Sequence, residues 1–315
     1  MPIISRKTLL GLGWAAVAIT IWSGSLVMLR LGVTTSLNAY DLTALRFGVA
    51  ALILTPVVLR RGTGTDRLTP TGLVAMVITF GALYVLLISL ALKTAPASVA
   101  GALNPGAMAI VSVLLGWMVF SDRISVTRFV GLVVTAIGIA MFARTGEAFT
   151  SGYLILMGTG SMWAVYALIV RYAAVPALNA TAIVAVGSAV FYLPVYLVAL
   201  PKQMLSAPLV DMLMQAGFQG VLVSIVAIFA FNRSAELLGS IAGATLPALI
   251  PVVTLCLGVL FLSETAGSGE ITSAILVTIG LALILVGKSV IRWLSNNLQR
   301  YLNKDWHALN QENGD

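Results

Sequence analysis

Ser98–Asp122 reads SVAGALNPGAMAIVSVLLGWMVFSD, and Ser240–Glu264 reads SIAGATLPALIPVVTLCLGVLFLSE. The two stretches align without a gap at an offset of 142 residues, with nine identities in twenty-five positions, among them Gly101/Gly243, Pro105/Pro247, Gly116/Gly258 and Ser121/Ser263. Working outward, Gly138/Gly280 keeps the same offset, and an offset of 141 pairs Gly11/Gly152, Trp22/Trp163 and Arg30/Arg171. Matched Trp, Pro and Gly at a near-constant offset mark an internal repeat, which an apolar alphabet alone does not readily produce. The chain reads as two copies of one unit, residues 1–146 and 147–291, with a tail over 292–315.

Composition fixes the medium. Of 315 residues, 59% are hydrophobic and 9% charged, and the mean hydropathy is +1.03, which leaves too little polar surface to coat soluble domains. Cutting the chain at every Asp, Glu, Lys and Arg leaves ten long uncharged runs, from Thr8–Leu29 to Ile271–Gly287. Most reach the ~20 apolar residues that cross a bilayer as helix, and the second does so if it begins near Tyr40 and carries Arg46. A transmembrane barrel needs short segments alternating apolar and polar, whereas these runs are apolar on every side, so the backbone must be satisfied within helices.

The expected fold is therefore an all-α integral membrane protein of ten transmembrane helices. Five spans per unit is an odd number, so the second unit crosses in the opposite sense, as two inverted five-helix repeats. The links are too short for a soluble nucleotide-binding domain. The run after Arg6 and Lys7 exceeds the apolar core of a signal peptide and is read as a retained helix.

Basic residues orient the bundle. With the amino terminus inside, thirteen Lys and Arg fall in inside segments and four outside, so both termini are expected in the cytoplasm. The net charge of +7 is accounted for by this bias, not by nucleic acid. The single cysteine, Cys256, reads as packing, without metal-ligand neighbours. After Lys288, Ile291, Leu294, Leu298, Tyr301 and Leu302 alternate with basic residues, the pattern of an interfacial amphipathic helix or of a polar extension.

WSGS at Trp22–Ser25, LRF at Leu45–Phe47, ALKTAPASVAGALNP across Ala91–Pro105 and the acidic Asp122 ending the fourth run form a pattern with the 5+5 repeat. Over residues 8–290 this pattern resembles the EamA-like branch of the drug/metabolite transporter superfamily. The resemblance implies a secondary transporter, most often an exporter of amino acids or related metabolites, in a bacterial inner membrane, with a central cavity between the halves. A narrower likeness is to the aromatic amino acid exporters of that branch.

The residues suggest what lines such a cavity. Trp22 and Trp163 sit ~6 Å from the middle of their runs at 1.5 Å per residue, so two inward-facing indoles would form an upper and a lower aromatic shelf. Ser23 lies beside the first, Tyr166 one turn past the second, and Phe80 and Tyr84 share a face at i, i+4. The alternative is that these aromatics pack against helices or lipid. Pro105 and Pro247 each free the carbonyl four residues earlier, at Gly101 and Gly243, for a substrate ammonium or a neighbouring helix, and they give each half a hinge. Asn104 adds a neutral donor and acceptor.

Arg46, the one charge expected within the membrane, either snorkels outward, meets Asp41 in a gate or touches substrate. The eleven acids fall at predicted helix ends, links or tails, so a neutral or zwitterionic substrate fits and a carboxylate proton relay does not. Gly131, Thr135 and Gly138 on the fifth span, and Ser273, Gly280 and Gly287 along its counterpart in the second unit, read as small stripes for close helix packing.

No nucleophile elbow, zinc-helix or phosphate-loop motif is present, and the only histidine, His307, is in the tail, so no enzyme, cofactor or metal is expected. The leading expectation is alternating-access export of small metabolites, amino acids first. Partners are then that small-molecule substrate and the lipid bilayer, and one chain suffices as a monomer to close a cavity. The alternatives are efflux of lipophilic drugs and, in a different class, a non-transporting scaffold or receptor.

Overall fold

The computed structural model describes residues 6–145, 150–238 and 246–285, which hold helices and no strand. In chain order the helices are α1 (Arg6–Thr34), α2 (Ala39–Arg61), α3 (Pro70–Ala91), α4 (Ala97–Phe120), α5 (Val126–Thr145), α6 (Ser151–Ala173), α7 (Ala177–Ala199), α8 (Leu209–Leu238), α9 (Pro247–Leu262) and α10 (Ser268–Leu285). Among the described residues, nine are long and apolar enough to cross a bilayer, and α9 is the shorter one. The expected amphipathic tail and Gly287 lie outside the described residues.

Large apolar side chains face outward around the bundle, with Leu52, Leu59, Val126 and Val198 each about 80% exposed or more. In water such a belt would be an aggregation surface, whereas hydrocarbon solvates it without cost. The chain is an integral membrane protein.

Hydrogen bonds sort the helix ends into two faces. On the first, Asn38 caps α2 reciprocally with Asp41, at 2.9 and 3.2 Å, and Asn38 Nδ2 donates to the Pro201 carbonyl beyond α7 at 3.1 Å. On the second, Asn179 Nδ2 donates to the Gly62 carbonyl at the end of α2, 3.0 Å away. Gly64 in that turn has φ +72°, and a Cβ there would stand 2.8 Å from Asn179 Nδ2, so both conformation and space demand glycine. The two asparagines are 141 residues apart, the offset of the paired tryptophans, and their bonds tie α2 to α7 at both ends.

The two small stripes meet each other. A Cβ on Gly131 would lie 2.8 Å from the Gly280 carbonyl, and one on Gly138 would lie 2.9 Å from Val277 N, so α5 and α10 pack backbone to backbone. Thr135 and Ser273 return their hydroxyls to their own helices, at 2.8 Å to Gly131 O and 2.7 Å to Gly269 O.

Two helices depart from regular geometry. α3 is broken at Gly81 into Pro70–Phe80 and Ala82–Ala91, and the hydroxyl of Ser188 on α7 accepts the Ala82 N–H at 3.0 Å. α8 widens into a π-helix over Ala216–Val226. Irregular backbone at membrane depth persists where protein or a cavity surrounds it, and both departures flank the cavity described next.

Candidate functional site

A cavity of about 370 Å³ lies between the helices, within the size range of small-molecule sites. Of the residues expected from the sequence, it is lined by Trp22, Arg46, Phe80, Tyr84, Asn104, Pro105, Trp163, Tyr166 and Pro247. It extends to exposed Ala177 at the start of α7, on the Asn179 face, while Leu29, Val85 and Ile88 on the Asn38 side are buried.

The aromatic residues form two groups. The Phe80 ring stacks on Tyr166 with centroids 4.3 Å apart, and meets Tyr84 at 4.8 Å and Trp163 at 5.7 Å. Across the cavity, Trp22 of α1 meets Phe231 of α8 at 5.3 Å. Offset or tilted rings at these separations hold one another and leave faces and edges for a ligand.

Polar groups punctuate this lining. Tyr84 donates to Asn104 Oδ1 at 3.1 Å, and Asn104 Nδ2 donates to Thr159 Oγ1 at 2.8 Å, so the amide orientation is fixed by its neighbours. Behind the other wall the buried Gln219, in the π-helical stretch, accepts from the lining Ser25 Oγ at 2.8 Å and returns its amide N–H to Ser25 O at 3.0 Å. Arg46 Nη1 donates to the same Gln219 oxygen at 3.3 Å.

Three expected residues lie elsewhere, and a fourth is outside the described residues. Ser23 is fully buried away from the cavity, because Trp22, Ser25, Leu26 and Leu29 occupy the inward stripe at i, i+3, i+4 and i+7, and Ser23 falls off it. Gly101 is buried at the crossing of α4 and α9, where a Cβ would collide with Thr254, so its carbonyl does not line the cavity. Gly243 lies outside the described residues. Asp41 does not meet Arg46: beyond the cap, its carboxylate accepts from Tyr196 OH at 2.6 Å and Gln203 N at 3.0 Å. Pro105 sits inside α4, but Pro247 lies in the 3₁₀ turn, Leu246–Leu249, with which α9 opens.

The sequence reading missed two matched ion pairs. Arg171 at the end of α6 holds Asp122 beyond α4 with two bonds, 2.6 and 3.0 Å, and its guanidinium lies 4.0 Å over the Phe120 ring. Arg30 near the end of α1 comes within 4.0 Å of Glu264 beyond α9, and donates to the Leu92 carbonyl. Glu264 also accepts from the first N–H groups of α4, Ala97 at 2.8 Å and Ser98 at 3.4 Å. The two arginines are repeat mates, and so are the two acids, so the signal was present in the offsets. The repeat also explains Gly116 and Gly258: a Cβ on either would crowd the carboxylate of Asp122 or Glu264, at 2.9 and 2.7 Å.

Glu264→Gln replaces one accepting oxygen with a donor facing N–H groups or Arg30. It should cost about 2 kcal/mol, as for a charged hydrogen bond with a partly buried partner. A lowered melting temperature in detergent would register this, and an unchanged one would mean that Glu264 does not hold the helix ends together.

A membrane-embedded helical bundle closed around an aromatic, ligand-sized cavity defines the class of protein. The EamA-like transporter family matches residues 9–144 and again residues 150–286, so the chain belongs to that family, a family of transporters and not of enzymes. No curated protein matches the chain. Among solved structures, one crystal structure of a protein is 21% identical, with a TM-score of 0.59 over 89% of this chain and 96% of the other, a likeness of fold.

Proposed function

We propose that the protein is a carrier that exports small neutral or zwitterionic metabolites, amino acids first among them, by alternating access to the aromatic cavity. The observation that carries this reading is the cavity itself: about 370 Å³, walled by Trp163, Phe80 and Tyr166 on one side and Trp22 on the other. An aromatic amino acid fits its size and chemistry, in line with the narrower exporter likeness.

The moving parts are two inverted five-helix units, 1–146 and 147–291. Supporting this are the double family match, the reciprocal Asn38 and Asn179 bonds, and the ion pairs that join α1 to α9 and α6 to α4. On the Asn38 face, Leu37, Leu92, Ala95 and Ala97 are buried, so this conformation is the one closed there and accessible from the Asn179 face. By the distribution of Lys and Arg, the Asn179 face is cytoplasmic and loads the substrate.

The test is uptake of a labelled amino acid panel, aromatic and aliphatic, into vesicles containing the purified protein, with and without a proton gradient. Saturable uptake that needs no gradient is expected, since among the described cavity-lining residues none is a carboxylate that would carry a proton. Uptake no greater than that of empty vesicles for every amino acid would overturn the reading in favour of lipophilic drug efflux.

A further inference from the structure

Arg46 stands seven residues into α2, about 10 Å along the axis from its start. Among the described residues only neutral Gln219 bonds its guanidinium, through Nη1 at 3.3 Å, and Nε is buried without a partner. Among the described residues no acid meets it, for Asp41 is committed to its cap, to Tyr196 and to Gln203. A guanidinium always carries its charge in proteins, so this is a fixed cation without a counter-charge, lining an apolar cavity at membrane depth. A structural arginine in that setting is normally paired, and one left unpaired beside a cavity of ligand size calls for an anion from outside.

We infer that Arg46 is the anion subsite of the cavity, receiving the carboxylate of a small monocarboxylate whose apolar body lies against the Phe80–Tyr166 stack. This rests on the transport reading above and narrows its substrate class. A planar fork facing a carboxylate forms two parallel charge-assisted bonds, which a neutral amide or an alcohol cannot match.

The cavity is one-sided in its charge. Arg46 is the only charged residue among the described lining residues, so a ligand ammonium finds only neutral oxygens. Asn104 Oδ1 already accepts from Tyr84, and Gln219 Oε1 from both Ser25 and Arg46. Recognition therefore depends on the carboxylate, and the amino group is dispensable. Gln219 positions the guanidinium, and Ser25 in turn fixes the Gln219 amide, so the subsite draws on α1, α2 and the π-helical stretch of α8.

The test uses four probes of one shape: phenylalanine, phenylalaninamide, phenethylamine and 3-phenylpropionate. Binding is read by tryptophan fluorescence of the purified protein and by competition against phenylalanine flux. The two acids should bind, with 3-phenylpropionate at least as tight as phenylalanine, and the amide and amine about ten- to hundredfold weaker, the worth of a charged hydrogen bond. Arg46→Gln should remove the preference for acids, while Arg46→Lys, which keeps the charge and loses the fork, should retain it at lower affinity.

Equal binding of amide and acid to the wild type, or an acid preference that survives Arg46→Gln, would overturn the subsite. If Arg46→Gln fails to fold, the wild-type ranking and the lysine variant still decide. Phenylalanine flux without an acid preference would sink the subsite and leave the carrier. Arg46-dependent binding of 3-phenylpropionate without amino acid flux would leave the subsite and sink the amino acid reading.

Discussion

Trp163→Ala lowers saturable flux through the protein by about thirtyfold at equal membrane abundance, the equivalent of about 2 kcal/mol of lost ring contact. The indole lies on the cavity wall beside Phe80, at 5.7 Å, and Phe80 is itself held against Tyr166 and Tyr84. Removing the indole takes away an apolar wall and leaves Phe80 without one of its three ring partners. Trp22→Ala on the opposite wall should act in the same direction, since it removes the surface that meets Phe231. Trp117→Ala is the control, because that ring is 54% exposed and away from the cavity. Flux assays on vesicles with matched protein content decide the matter. Unchanged flux in both cavity variants would mean that the tryptophans do not form the binding walls.

A single methyl group should have opposite consequences at two glycines. Gly138→Ala places a Cβ 2.9 Å from Val277 N and 3.1 Å from Ser273 O, backbone atoms of α10 that cannot step aside without moving the helix. Overpacking of this kind costs about 1–3 kcal/mol, and the upper end applies where the obstacle is backbone. Gly158→Ala on α6 meets nothing within 4 Å. There the substitution should be neutral or stabilising by up to about 1 kcal/mol, from the lower entropy of the unfolded chain and better helix propensity. Melting temperatures of the two variants in one detergent give the comparison. Equal stability would show that α5 and α10 are not in close contact in solution.

Much of the fold could be read from the chain because hydrocarbon imposes one answer on the backbone. Uncharged runs of span length become helices, and the offset that pairs Gly131 and Gly138 with their repeat mates also marks where α5 and α10 touch. Of the residues expected from the sequence, those that line the cavity are mostly large or kinking ones at span centres: Trp22, Trp163, Phe80, Tyr84, Tyr166 and Pro105. Asn104 was found because it is a lone amide in an apolar run. Gln219 is one of three amides within Met212–Asn232, with Gln215 and Asn232, and nothing local singles it out or says that a π-helical stretch turns it toward Ser25 and Arg46.

The misplacements have local causes. Asn38 three residues before Asp41 is a helix start, and that chemistry consumes the carboxylate offered to Arg46. Ser23 is adjacent to Trp22 in sequence, which on a helix puts it on another face. The break of α3 at Gly81 depends on Ser188 of another helix to take up the Ala82 N–H, and no spacing within α3 announces it. Which arginine meets which acid is likewise a tertiary fact, although the offsets already held both members of each pair.

The two asparagine bonds carry a mechanical consequence. α2 and α7 are pinned to each other near both membrane faces, so this pair cannot scissor apart at either end without breaking a partly buried hydrogen bond. For the rocking motion proposed above, this pair is the natural axle, and the Arg171–Asp122 contact between α6 and α4 and the Arg30–Glu264 contact between α1 and α9 are clasps of opposite charge that such a motion has to part.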